Sequence, residues 1–492
     1  MENSIWRKKP MSAYEADIKN SQLKRIMGKW SLTAIGIGGI IGGGIFVLTG
    51  TAAHYHAGPA LALSFIIAGI GCVFAALCYS EFASMLPVEG SAYAYAYGTI
   101  GELFAWIIGW GLILEYAMGA MTVAVSWSGY FNKLVHLFGI DIPYYLRNDP
   151  WSAASYAQAN GLEPASFALN LPAFIITWLV TWILVKGIKE AANTNNLIVI
   201  IKLGAVIFVI LVGIFFVNYA NWEPFIPEPT MVMHEDGVAK EAYGWKGIFS
   251  GAAAIFFAYI GFDVVSTSAG EAINPKKDIP FAIIASLLIC TILYILVSLV
   301  LTGMMNYKDI TGDALKAPVA MAFDKVGQPW AVFVITAAAT AGLISVMLVM
   351  MLGQTRVFLG MAKDGLLPNF FKEVHQTWQT PWKSTLLVGL VVSLVASFTP
   401  IGILSDMTSF GTLFAFAMVC LAVLILRFRD PNRERPFKTP MVYIIGPLGI
   451  ITNFALMALL DSKAQKFAVG WMALGFIVYF LYSRNKSKLN DM

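Results

Sequence analysis

The chain has 492 residues, 58% of them hydrophobic and only 13% charged, with a mean hydropathy of +0.70 and a formal net charge of +4. Soluble globular domains carry about 25% charge, and here the apolar residues gather in long blocks, so a set of soluble domains is excluded. A charge of +4 is too small to argue for nucleic acid, and the polar segment 1–30 lacks the apolar stretch of a cleavable signal peptide.

Crossing a bilayer as a helix takes ~20 mostly apolar residues. Blocks of this kind fall near 31–52, 60–86, 101–132, 171–187, 194–218, 247–271, 279–304, 329–361, 384–400, 405–427, 440–459 and 467–483. They predict an all-α polytopic membrane protein with twelve transmembrane helices, the fourth and ninth short. The polar stretches 138–168 and 219–246 read as connections within one bundle. Cys72, Cys78, Cys290 and Cys420 all lie inside apolar blocks and read as small buried hydrophobes.

Positive residues set the orientation, because loops rich in Lys and Arg stay cytoplasmic. With the N-terminus inside, 23 of the 33 Lys and Arg fall on the cytoplasmic side and nine outside, with Lys202 within a span. Both termini are expected in the cytoplasm. Short loops and this pattern suit a bacterial inner membrane.

The first block contains Gly36-Ile37-Gly38-Gly39-Ile40-Ile41-Gly42-Gly43-Gly44-Ile45-Phe46. Each interior glycine costs a helix about 1 kcal/mol relative to alanine. A triplet at mid-span either breaks the helix or allows a neighbouring helix to approach closely. A break would leave free N–H groups at the positive end of a half-helix, suited to a carboxylate. The sixth block, Ile255-Phe256-Phe257-Ala258-Tyr259-Ile260-Gly261-Phe262-Asp263, pairs one glycine with an acid where an acid is costly. A break there would expose carbonyls to an ammonium group. Interrupted spans at matching places in two halves are a sequence sign of a transporter site. Identity between the halves does not by itself establish such a repeat.

Ionisable groups within spans are few. Glu115 lies thirteen residues beyond Glu102, or about 20 Å of helix. It is either a functional acid or a structural, hydrogen-bonded one. Lys202 either stays buried, where it could exchange a proton, or snorkels to the inner surface. Asp263 and Glu271 read as helix-end partners, and Glu81 and Arg356 as gate or scaffold residues. None of the five His residues stands at metal-ligand spacing in an apolar span, so neither a metal nor a cofactor is expected.

With these residues in hand, the chain resembles the amino acid–polyamine–organocation superfamily, and within it the bacterial branch of the cationic amino acid transporter family. The matching stretches run from Gly36 to Phe46, Tyr79 to Ala83 with Gly90 to Tyr93, and Phe256 to Ser266. Gly270-Glu271 through Asn274-Pro275 and Gln354-Thr355-Arg356 through Asp364 to Pro368 also match. The resemblance implies a leucine-transporter-like fold: a cytoplasmic segment 1–30, inverted five-helix repeats over 31–218 and 247–427, two added helices over 440–483, and a cytoplasmic tail 484–492. It implies substrate carboxylate on the backbone of Gly42, Gly43 and Gly44, the amine on carbonyls of Phe257, Ala258 and Ile260, Ile40 in the same pocket, and Phe262 as a gate. In sodium-coupled relatives a cation sits between the first and eighth spans; in proton-coupled ones a lysine at the position of Lys202 replaces it. Glu115 matches an acid linked to proton coupling. Relatives that carry cationic substrates tend to have a small residue where this chain has Met350, which favours a small or medium neutral amino acid.

The expected partners are an amino acid, a proton and membrane lipid; the sequence is silent on a small accessory subunit. The readings kept beside proton symport are an amino acid exchanger, a carrier of cationic amino acids or polyamines, and a non-transporting nutrient sensor. An enzyme is the weakest option, since no nucleophile–base pair or phosphate loop stands at the required spacing.

Overall fold

Inside a bilayer no water satisfies a strand edge or a loop, so an apolar block must close its own hydrogen-bond ladder as a helix. The computed structural model describes residues 6–10, 14, 27–85, 91–186, 191–234, 238–267, 272–378 and 380–490. Gly90, Lys189, Gly270, Glu271 and most of segment 1–30 lie outside the described residues. In chain order the main helices are α1 (Lys29–Ile40), α2 (Leu61–Met85), α3 (Glu102–His136), α4 (Leu171–Lys186), α5 (Ala191–Gly213) and α6 (Gly244–Ala254). They continue as α7 (Pro275–Met304), α8 (Pro329–Lys363), α9 (Trp382–Phe398), α10 (Ile401–Arg429), α11 (Val442–Ala458) and α12 (Ser462–Val478).

Among the described residues, eight helical runs are long and apolar enough to cross a membrane, and α4, α9 and α11 are shorter apolar helices. One run, Gly44–Met85, covers the end of the first expected block and the second as far as Met85. It turns at Gly58, whose φ of +60° suits a residue without a Cβ, just before Pro59. Burial separates centre from rim: 78% of the apolar stretch of α3 and of α10 is covered by protein, against 22% in the run that contains α12. The protein is therefore a multi-pass membrane protein in which α3, α10 and the run that contains α6 are the most covered of these spans.

The connections hold more structure than their polarity suggests. Stretch 138–168 contains helices Tyr144–Arg147 and Pro150–Ala159, the second started by Pro150 and capped by Asp149, which accepts from the N–H groups of Trp151 and Ser152. Stretch 219–246 folds a hairpin of β1 (Thr230–Met233) and β2 (Ala239–Ala242), antiparallel with Thr230 opposite Ala242. The protein is thus mostly helical rather than wholly so. Four-residue strands bury too little apolar surface to stand out in a search for span-length blocks.

Two polar clasps fix the face that carries both ends of the chain. Arg7 pairs with the buried Glu102 at 3.2 Å, Ser487 Oγ donates to the same carboxylate, and the Lys488 N–H donates to the Asp364 carbonyl. The two ends therefore lie on one face. On that face Glu81 of α2, fully buried, accepts from Arg427 (2.8 and 2.9 Å), Arg435 Nε (3.1 Å) and the Thr439 N–H (2.8 Å). Every oxygen of this carboxylate is engaged, which makes Glu81 a scaffold residue joining α2 to α10 and the segment after it. Replacing Glu81 by Gln would strand the buried Arg435 beside a neutral group. Breaking a buried pair costs about 3–5 kcal/mol, so Glu81→Gln should melt well below wild type in detergent, whereas Glu434→Gln, on the exposed surface, should not.

Candidate functional site

The first span does break at its glycines. α1 ends at Ile40, Ile41 turns to an extended conformation (φ −70°, ψ 103°), and helix resumes at Gly44 with a π-turn that no side chain caps. The first N–H groups of a resumed helix have no partner in their own ladder. The sixth span breaks as well. α6 ends at Ala254, a 3₁₀ turn carries Ile255–Tyr259, Ile260 is extended, and a short helix restarts at Val264. Between them Gly261 has φ +119°, which an L side chain rarely tolerates.

The two breaks meet backbone to backbone. A Cβ on Gly261 would lie 2.5 Å from the carbonyl carbon of Gly39, and one on Gly44 would overlap the backbone of Ala258. A Cβ on Gly43 would meet Ser126 Oγ of α3 at 2.7 Å, and one on Gly42 would meet Val346 of α8 at 3.1 Å. The glycines thus serve both readings raised by the sequence: they interrupt the helix and permit close approach. The expected residues Ile40, Gly42, Gly43, Gly44, Phe257, Ala258, Ile260 and Phe262 are all buried around this crossing.

Carbonyls at the crossing are partly engaged. The Tyr294 hydroxyl of α7 lies 2.7 Å from the Ile40 carbonyl and 2.8 Å from that of Ala258, and its single proton serves one of them at a time. The Phe257 carbonyl accepts from the Ile260 N–H at 3.1 Å, and the Phe257 N–H donates to Ser409 Oγ at 3.2 Å. Each carbonyl has two lone pairs, so one bond leaves room for an ammonium proton.

Lys202 does not snorkel. Its side chain is fully buried, with Nζ donating to the Gly38 carbonyl of α1 and to Ser345 Oγ of α8 at 3.1 Å. A Cβ on Gly342 would sit 3.0 Å from Lys202 Cβ, so glycine there lets α5 press against α8. The lysine therefore joins the first and eighth spans just before the break. Glu115 is buried in α3 where Gly411 of α10 crosses its backbone, and neither carboxylate oxygen has a hydrogen-bond partner among the described residues. Asp263, also buried, accepts from Tyr116 at 2.7 Å and neighbours Glu115. It begins the short restarting helix, but its side chain turns to α3.

Phe262 packs between Phe416 (4.9 Å between rings, tilted) and Tyr79 (5.9 Å, edge-on), on the side of the crossing nearer the termini. Met350 is buried one turn beyond Val346, its sulfur 3.4 Å from a Cβ position on Gly119 of α3, so the apolar group next to Gly42 is Val346. Arg356 is exposed. Sequence reading missed Tyr294, Ser126, Ser409 and Val346. Tyr294 alone left a trace, as a hydroxyl in the otherwise apolar run Ile292-Leu293-Tyr294-Ile295-Leu296. The reading also passed over Asp406, half-buried in α10.

Comparison with known proteins shows the family. A family profile described as Amino acid permease matches residues 27–482. The branched-chain amino acid permease BcaP of Bacillus subtilis is 42% identical, with all of both chains aligned. The methylthioribose transporter of the same organism is 41% identical over 99% of this chain and all of its own. The vacuolar cationic amino acid transporter 4 of Arabidopsis thaliana is 36% identical over 87% of this chain and 68% of its own. These relatives are carriers rather than enzymes, and with a profile match across almost its whole length this chain belongs to the amino acid permease family.

Proposed function

We propose that the protein is a secondary active transporter that moves one small or medium neutral L-amino acid together with one proton by alternating access. The observation that carries this reading is the crossing of two broken spans, with Lys202 bonded between α1 and α8 beside it. The N–H end at Gly42–Gly44 suits a carboxylate, and the carbonyls of Phe257, Ala258 and Ile260 suit an ammonium. Ile40 and Phe262 complete the pocket, with Phe262 as the gate toward the termini. Val346 and Met350 fill the space a long cationic side chain would need. Glu115 tunes the proton equilibrium, and a sodium ion beside Lys202 would be repelled.

The architecture that goes with this reading is twelve spans, as two inverted five-helix units over 31–218 and 247–427 with two helices over 440–483. Both termini face the cytoplasm of a bacterial inner membrane. The shared face of the two chain ends and the bias of positive residues support it. A second reading comes from the methylthioribose transporter of Bacillus subtilis, at 41% identity. Its substrate lacks both carboxylate and ammonium, so it would leave the helix-end groups at the crossing unused.

Uptake of labelled leucine, alanine and arginine into proteoliposomes under an imposed pH gradient separates these readings. Gradient-driven uptake of a neutral amino acid but not arginine is expected, with excess methylthioribose failing to compete. Hydrogen bonds to a charged group contribute about 1.5–3 kcal/mol, so Lys202→Ala should lower driven uptake about ten- to a hundredfold. Uptake that ignores the gradient but responds to internal amino acid would replace symport with exchange.

Tyr294→Phe gives an independent check on the ammonium site. Losing a donor shared by two buried carbonyls should destabilise the substrate-free protein by about 1–3 kcal/mol. An ammonium bound at the Ala258 carbonyl restores part of that loss. Leucine should therefore raise the melting temperature more in Tyr294→Phe than in wild type, and an equal or smaller shift would move the ammonium elsewhere.

A further inference from the structure

The face opposite the termini carries a vestibule of about 540 Å3 between the end of α3 and residues 141–162 and 316–321. Beneath it a pocket of about 20 Å3, room for little more than one water, continues to Val47 and Ser126. Ser126 is the residue that touches Gly43, and Val47 follows the break in the first span. Gly129, Arg147, Asn148 and Lys316 line both spaces and so form the neck between them. None of them has a part in the site described above.

Within the neck, Lys316 and Asn148 form a donor pair with protons to spare. Lys316 Nζ donates to Asn148 Oδ1, and no described carboxylate stands within ion-pair distance of it. An ammonium has three protons, so this bond leaves others to give. Asn148 is 1% exposed, and its Nδ2 has no hydrogen-bond partner among the described residues. A buried donor left unmet costs about 1–3 kcal/mol, which a carboxylate oxygen would relieve. The nearby acids are occupied: Asp324 with Lys133 at 2.6 Å, Asp141 with His136 at 2.5 Å, and Asp149 with the helix it caps. The Arg147 guanidinium lies over the Tyr156 ring at 5.1 Å. Lys316 is held in place because a Cβ on Gly129 would lie 2.9 Å from its carbonyl oxygen and its own Cβ, so only glycine lets this loop rest on α3.

We infer that Lys316 and Asn148 form a carboxylate-binding station on the access path, which takes the α-carboxylate of an incoming amino acid before it reaches the two breaks. This rests on the transport reading and adds a first point of selection to it. The planar carboxylate meets the two donors while its side chain remains in the wider vestibule. A substrate with net positive charge meets Lys316 and Arg147 unfavourably.

The test is leucine uptake against concentration, at low and physiological salt, for wild type, Lys316→Gln and Lys316→Arg. Lys316→Gln keeps a side-chain amide that can donate to Asn148 but loses the charge. Its KM should rise about five- to twentyfold, the scale of one charge-assisted bond, with kcat within about twofold. The salt dependence of kcat/KM should shrink, and Lys316→Arg should recover most of the loss. Inhibition by leucinamide, which has no carboxylate and carries a net positive charge, should not weaken in Lys316→Gln and should strengthen if anything, because a like charge has been removed. An unchanged KM, or equal weakening toward leucine and leucinamide, overturns the station. If the wild type carries no amino acid, the transport reading falls by itself. Equilibrium binding of labelled leucine then decides the station: weaker in Lys316→Gln supports it, equal refutes it.

Discussion

Everything near the centre of this protein depends on two helices that cross where neither is a helix. Gly261 faces Gly39 and Gly44 faces Ala258 at distances that exclude any larger side chain on Gly261 or Gly44. Backbone at membrane depth is tolerated only when protein or a cavity surrounds it. Here α3, α7, α8 and α10 supply that cover through Ser126, Tyr294, Val346 and Ser409. What the two breaks present to each other is therefore mainly peptide groups, the basis of the proposed recognition of the part that all amino acids share. In the proposed reading, side chains such as Val346 and Met350 are left to discriminate among them.

The charged groups around the crossing divide by how completely they are satisfied. Glu81 has four donors and holds helices together on the termini face. Lys202 has two acceptors on different helices, one a carbonyl of the broken first span. Glu115 has none among the described residues. A fully engaged carboxylate resists change, whereas a buried one without donors is most easily altered by a proton or by water. That ordering separates the saturated scaffold pair from the buried groups left open to change, without reference to any relative.

Much of this was legible in the sequence, for reasons that differ by residue. Apolar blocks of span length and a glycine triplet are local signals, so the helices and the first break could be read from a dozen neighbouring positions. Lys202 was visible as one charge in a run of aliphatics, though only the fold shows that it points inward rather than to the surface. Glu81 could be singled out, but its partners Arg427 and Arg435 are 346 and 354 residues away. Tyr294 binds carbonyls 254 and 36 residues distant. Neither spacing leaves a periodicity to detect. The hairpin escaped because a search for helices of bilayer length looks past four-residue strands.

The peripheral helix α12 is attached to the centre by an indole pair. Trp110 of α3 and Trp471 of α12 stack at 4.7 Å with 20° between their planes, and each donates its ring N–H to the other's carbonyl. Trp106 adds a third such bond, to Gly475. Two indoles this close couple their electronic transitions. The near-ultraviolet circular dichroism of the pair is therefore a built-in optical signal of whether α12 stays seated on α3 during the transport cycle, and it needs no attached label.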